Sequence, residues 1–80
     1  MRDTIWTDIL RERDRQDRIH GPDLPPASIP AVLGEEFGEV CEALNDDLHR
    51  DRLREELVQV AAVAVKAIEY LYRDEGNSDG

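Results

Sequence analysis

The sequence predicts an all-α protein, an antiparallel helical bundle completed by oligomerisation, on three observations. Three stretches carry apolar residues at helical spacing, separated by a Gly/Pro-rich and an Asn/Asp-rich break. The third stretch is apolar on every face over more than two turns. Finally, 80 residues with 40% hydrophobic and 5% aromatic content make one small domain, which buries only ~60% of its extended surface and needs a metal, a disulfide or a partner to be more than marginal. Cys41 is the only cysteine, so an intrachain disulfide is excluded.

The first helix is expected from Thr4 to about Ile19. Ile5, Trp6, Ile9 and Leu10 form its apolar half, with Trp6 read as core. Arg11, Arg13, Arg15 and Arg18 then alternate with Glu12, Asp14 and Asp17, the pattern of a solvated face. His20-Gly21-Pro22 ends the helix, because glycine caps a C-terminus and proline cannot continue it. A loop through Pro25, Pro26, Ala27 and Ser28 follows. Pro30 is tolerated in a first turn, where its missing N–H would have been unpaired, so the second helix begins near Ser28 or Ile29.

From Ala31 to about Asp47 each residue advances ~100°, which gathers Val32, Leu33, Phe37, Val40 and Leu44 on one stripe. Glu36 and Glu39 border that stripe, while Glu35 and Glu42 lie further toward solvent. Asn45 through His49 is polar and turn-forming. The third helix is expected from about Asp51 to Tyr72. Leu57-Val58 and Val60 to Val65 leave it no polar face, and a helix apolar all round is buried all round. Two other helices cannot wrap it, so the surplus argues for a bundle shared between subunits. Residues 1–73 form a single domain in this reading and 74–80 a disordered tail; no heptad array is recognised.

Charge narrows the partners. Ten Lys+Arg against 19 Asp+Glu give −9, which repels polymeric nucleic acid and anionic membrane. No segment approaches the ~18 to 20 apolar residues of a membrane span, and Met1-Arg2-Asp3-Thr4 does not read as a signal peptide. A lone thiol suits a reducing compartment, so a cytoplasmic protein is expected. Gly-rich phosphate loops, paired-cysteine zinc motifs and nucleophilic serine motifs are absent from the sequence.

Chemistry concentrates in four residues. Glu36 and Glu39 are three apart, and Glu56 and Gln59 repeat that spacing on the next long helix, so each pair projects from one face. Two antiparallel helices would bring the four groups together. Hard divalent cations take several oxygen ligands, and facing helices of a bundle can supply them. Gln59 interrupts an apolar run, where an unpartnered buried amide costs ~1 to 3 kcal/mol; a polar cluster inside the bundle would satisfy it.

The pair Glu36-Phe37-Gly38-Glu39 and Glu56-Leu57-Val58-Gln59, with 16 residues between Glu39 and Glu56, resembles the ExxE and ExxD motifs of the MazG-like all-α nucleoside triphosphate pyrophosphohydrolases. The flanking Leu33-Gly34-Glu35 and Leu53-Arg54-Glu55 are similar to family sequence too, and the resemblance covers Ala31 to about Leu71 closely and the first helix loosely. It implies cleavage of a nucleoside triphosphate between the α- and β-phosphates, giving a monophosphate and pyrophosphate, with Mg2+ (or Mn2+) as cofactor. A house-cleaning role and a homodimer or homotetramer are implied as well. By the resemblance Glu36, Glu39 and Glu56 are metal ligands, and Gln59 occupies the place of the family's aspartate. That departure removes one negative charge and lengthens the side chain, so metal affinity is expected to fall. The alternative is a weakened or inactive helical nucleotide-binding or interaction module. Glu35 and Glu39 are the candidates for general base.

Arg15 and Arg18 are the candidate phosphate contacts, since guanidinium matches phosphate bidentately. Lys66 reads either as a snorkelling surface lysine or as a phosphate contact reaching another subunit's site. His20 and His49 sit at helix ends and are not assigned to metal, and Cys41 is read as a packing residue.

Overall fold

The computed structural model describes residues 1–45 and 50–78. Three helices follow one another: α1 (Arg2–His20), α2 (Ile29–Asn45) and α3 (Arg50–Ser78), with a single 3-10 turn, Pro26–Ser28, leading into α2. Among the described residues there is no strand. None of the described helices is long and apolar enough to cross a membrane.

The helix ends follow local chemistry. Gly21 takes φ +80° and its amide donates to the Asp17 carbonyl at 2.9 Å, closing α1 with a conformation that a Cβ would oppose. The Pro25 carbonyl accepts from the Ser28 amide at 2.9 Å, which winds the chain into α2 at the expected place. α3 runs past Tyr72 to Ser78, so the positions expected to form a loose tail are helical as far as Ser78. Nothing in Arg73-Asp74-Glu75 breaks a helix, and the first breaker is Gly76. The expected turn at 46–49, with His49, and positions 79–80 lie outside the described residues.

Cross-helix partners fix the topology. Glu42 faces Arg52, Glu36 faces Gln59, and Val32 packs near Val63; the two numbers move in opposite directions, so α2 and α3 are antiparallel. α1 instead runs parallel to α3, with Ile5 and Ile9 beside Leu53 and Leu57, Arg13 bonded to Glu69, and Asp23 just beyond α1 bonded to Arg73.

The apolar core is small. Leu24, Val63 and Ala67 form its centre, with Ile29, Val32 and Leu33 packed on them; Ile9, Val40, Ala43 and Ala62 are also buried. Two expectations about it need correction. On α2 the buried arc centres on Glu36 rather than beside it, because Val40, Ala43 and the half-buried Val32 straddle that residue; Phe37 and Leu44 fall outside and are exposed, Phe37 at 65%. On α1 only Ile9 of the four apolar residues is buried, and Trp6 is 53% exposed. α3 likewise is not enclosed by its own chain: Leu57, Ala61, Ala64, Ile68 and Leu71, at alternating steps of four and three, form an uncovered apolar seam on which Leu57, Ile68 and Leu71 are exposed. That spacing is the heptad period over barely two repeats, too short to register as a coiled coil.

Where apolar contacts run out, polar ones fasten α1 and its loop to α3. The Arg13 guanidinium, buried on the expected solvated face, donates to Glu69 at 2.7 Å and to Asp17. Burial works to lower its pKa, but these two carboxylates outweigh it and hold the value above the ordinary one. Lys66 donates to the Gly21 carbonyl at 2.6 Å. At the rim, Arg73 reaches the Pro22 carbonyl and Asp23, both at 3.2 Å, and lies 5.6 Å from the centre of the Tyr70 ring, within cation–π range.

Candidate functional site

The antiparallel pairing of α2 and α3 sets Glu36 and Glu39 against Glu56 and Gln59. One carboxylate oxygen from each glutamate lies within 4.8 Å of the other two, and all three residues are half-buried. The Gln59 amide, with its nitrogen turned toward the two acceptors, donates to Glu36 Oε2 at 3.0 Å and to Glu56 Oε2 at 3.2 Å, the orientation that ionised carboxylates favour. The four groups singled out by spacing therefore do meet.

Crowding has an electrostatic cost. Burial, followed by the neighbouring charges of Glu39 and Glu56, pushes the Glu36 carboxyl from 4.5 up to about 7. Burial also raises Glu56, helped by its hydrogen bond with Glu39. A proton shared within the cluster relieves like-charge repulsion, and a divalent cation would relieve it further. Three carboxylates plus an amide that can present its oxygen are the donor set of hard cations such as Mg2+ or Mn2+.

Two cavities flank the cluster. One, of about 530 Å³, is lined by Arg11, Arg15, Arg18 and Arg54 together with Asp8, Glu12, Glu55 and Gln59, so four cationic groups face three acids there. The other, of about 380 Å³, has Glu35 and Glu36 on one wall and Gln16, Lys66, Leu24 and Val63 among the rest. Arg15 borders both. A third hollow, of about 630 Å³, is apolar and is lined by Ile5, Ile9, Leu53 and Leu57, away from the glutamates.

Arg15 is engaged by Glu12, donating through Nε at 2.9 Å and a terminal nitrogen at 2.8 Å; that ion pair raises its own pKa and holds the Glu12 carboxyl below the usual range. Arg18 is exposed on the arginine-lined cavity. Glu35 is exposed on the rim of the second cavity and is not part of the three-glutamate cluster. The snorkelling reading of Lys66 is wrong: the residue is 6% exposed, and its ammonium is held by the Gly21 carbonyl with Asp17 at 3.8 Å. The apolar neighbours on α3 belong to the core itself.

Sequence reasoning missed Glu12, Gln16 and Arg54. Glu12 reaches Glu36 electrostatically, accepts from Gln16 at 3.1 Å, and so extends the acidic centre onto α1. A signal was present: Ile9, Arg13 and Gln16, at steps of four and three, continue the one buried stripe of α1 in polar residues. No protein-family model, curated protein or solved structure matches this chain.

Proposed function

We propose that this protein is a MazG-like, metal-dependent nucleoside triphosphate pyrophosphohydrolase of the cytoplasm. The observation that carries the proposal is the convergence of Glu36, Glu39 and Glu56 from two antiparallel helices to within 4.8 Å. Glu36, Glu39 and Glu56 would hold Mg2+ or Mn2+, with the Gln59 amide turned to present its oxygen. Bound there, the cation would neutralise phosphate charge and lower the pKa of a coordinated water. Arg15 and Arg18, with Arg54 and Arg11 on the same cavity, would clamp the triphosphate against an otherwise acidic protein. Glu39 and Glu35 stand on either side of Glu36 as acceptors for the proton of the attacking water, Glu39 from inside the cluster and Glu35 from the cavity rim. Cleavage between the α- and β-phosphates yields a monophosphate and pyrophosphate.

Assembly belongs to the same proposal. The α3 seam of Leu57, Ala61, Ala64, Ile68 and Leu71 suits a second copy, because its small central residues let helices approach closely and its exposed ends would otherwise face water. A homodimer or homotetramer would cover it.

A second reading is favoured by Gln59 itself, whose amide nitrogen bonds two carboxylates and so stabilises the cluster without an ion. It makes the protein a weakened or inactive nucleotide-binding module. Pyrophosphate release from a triphosphate panel with Mg2+ separates the readings. The enzymatic reading expects release, raised in Gln59→Asp through about tenfold tighter metal binding, worth ~1.4 kcal/mol. No release from the wild type, with release gained only in Gln59→Asp, establishes the second.

A further inference from the structure

We propose that two copies pair through α3 about a two-fold axis at Ala64, with the helices antiparallel and Ile68 and Tyr72 of each copy filling the apolar hollow of about 630 Å³ between α1 and α3 of the other. It rests on the reading of the α3 seam as a subunit interface and goes beyond it, fixing which way round the copies meet and what the hollow holds. The seam reads almost the same from either end. Turned end for end about Ala64, the series Leu57, Ala61, Ala64, Ile68 and Leu71 brings Leu57 level with Leu71, Ala61 within one residue of Ile68, and Ala64 level with itself. Small then meets large where Ala61 faces Ile68, and the two alanines at the axis let the helices approach to about 8 Å. A parallel pairing would stack Ala61 on Ala61 at one end and Ile68 on Ile68 at the other, leaving a gap beside a bulge.

The hollow and the side chains that fill it stand on one edge of this seam. Ile5 and Ile9 of α1 line it with Leu53, Leu57 and Ala61 of α3, and Arg50 and Arg54 belong to its wall. Tyr72 follows Arg54 by 18 residues, about five whole turns, so its side chain leaves α3 in the same direction. Ile68 lies one turn before it. Both stand away from their own core, Ile68 51% and Tyr72 72% exposed. A two-fold antiparallel pair keeps each edge of the seam against the same edge of the other copy. Counted from Ala64, Tyr72 reaches the height of Glu56 and Ile68 that of Val60, both within the stretch from Leu53 to Ala61 that lines the hollow. Charge agrees with shape. The end of α3 that arrives beside Arg50 and Arg54 has no basic residue in its last turn, so it brings its carbonyl pole and the exposed Asp74 toward those cations. Arg54 also comes within cation–π reach of the Tyr72 ring of the other copy.

Neither metal nor nucleotide enters the test, so its outcome is separate from that of the enzymatic reading. Copies carrying carbon-13 are mixed with unlabelled ones, and isotope-filtered NMR records contacts between the two kinds. Cross-peaks from the Tyr72 ring and the Ile68 methyls to the methyls of Ile5, Ile9 and Leu53 are expected. Asp74 stands ten residues from Ala64, so spin labels at Asp74→Cys in a Cys41→Ala background are expected about 30 Å apart, against under ~20 Å for parallel helices. Tyr72→Ala, at an exposed position where circular dichroism checks that the helices persist, is expected to weaken self-association at least tenfold in sedimentation. A monomeric wild type at micromolar concentration, a label distance under ~20 Å, no cross-peaks into the hollow, or wild-type association in Tyr72→Ala overturns the proposal. Copies paired through another face would sink this arrangement and leave the acidic cluster to the pyrophosphate assay.

Discussion

Replacing Glu36 by glutamine tests the cluster without any metal present. The wild-type carboxyl titrates at about 7 when folded against 4.5 unfolded, so between those values the folded state holds the extra proton and stability falls as pH rises; above pH 7 the full penalty remains. A fully buried group displaced that far would cost ~3 kcal/mol, but this site is half-open, and solvent screening reduces the expectation to about 1 to 2 kcal/mol. Glutamine keeps the shape and still accepts from Gln59 while removing the charge. In chelator, Glu36→Gln is therefore expected to match wild type near pH 5 and to exceed it by about 1 to 2 kcal/mol at pH 8. Urea denaturation followed by circular dichroism, at one protein concentration because any oligomer makes stability concentration-dependent, measures the difference. With millimolar Mg2+ the order is expected to reverse, since the variant lacks a ligand. Parallel stability curves across pH, or a variant weaker than wild type at pH 8 in chelator, would refute the claim that these carboxylates repel one another.

Other perturbations probe the surroundings. Lys66→Met leaves the Gly21 carbonyl without its ammonium, and a loss of about 2 to 4 kcal/mol is expected in the same denaturation experiment; an unchanged midpoint would mean that the buried bond contributes nothing net. Glu12 has its folded pKa lowered by Arg15, so its contribution is present above pH 4.5 and is lost as pH falls through the folded value; Glu12→Gln is expected to be about 1 kcal/mol less stable than wild type at pH 7, with the gap narrowing as pH is lowered below 4.5, as read by thermal melts. Ile68→Glu places a charge on the α3 seam, and sedimentation at micromolar concentration is expected to show smaller species than wild type; identical profiles would remove the seam from any subunit interface.

How much of this was written in the sequence varies with the range of the interaction. The breaks at Gly21 and Pro30 and the paired spacing of Glu36, Glu39, Glu56 and Gln59 depend on neighbours within a turn, and they were legible. Burial on α1 was not, because the inward turn of Arg13 depends on Glu69, 56 positions away, and no local pattern announces that partner. Periodicity also misplaced the centre of α2: it follows apolar residues, whereas the α2–α3 contact is built around the polar cluster, which displaces Phe37 and Leu44 outward. The snorkelling reading of Lys66 failed for the same reason, since a carbonyl in a distant loop leaves no trace in the residues beside it. The end of α3 was misjudged because a charged tail lacking a breaker before Gly76 looks the same whether helical or loose.

The loop after α1 is tied down by charged side chains at two depths. Hydrophobic contacts weaken on cooling, yet the Lys66 bond to the Gly21 carbonyl owes little to that effect and, shielded from water, little to ionic strength either. The outer tie from Arg73 to Asp23 stands in open solvent, where added salt loosens it first. Refrigeration would then leave the mouth above Leu24 latched, while brine would release its outer edge and keep its inner hinge.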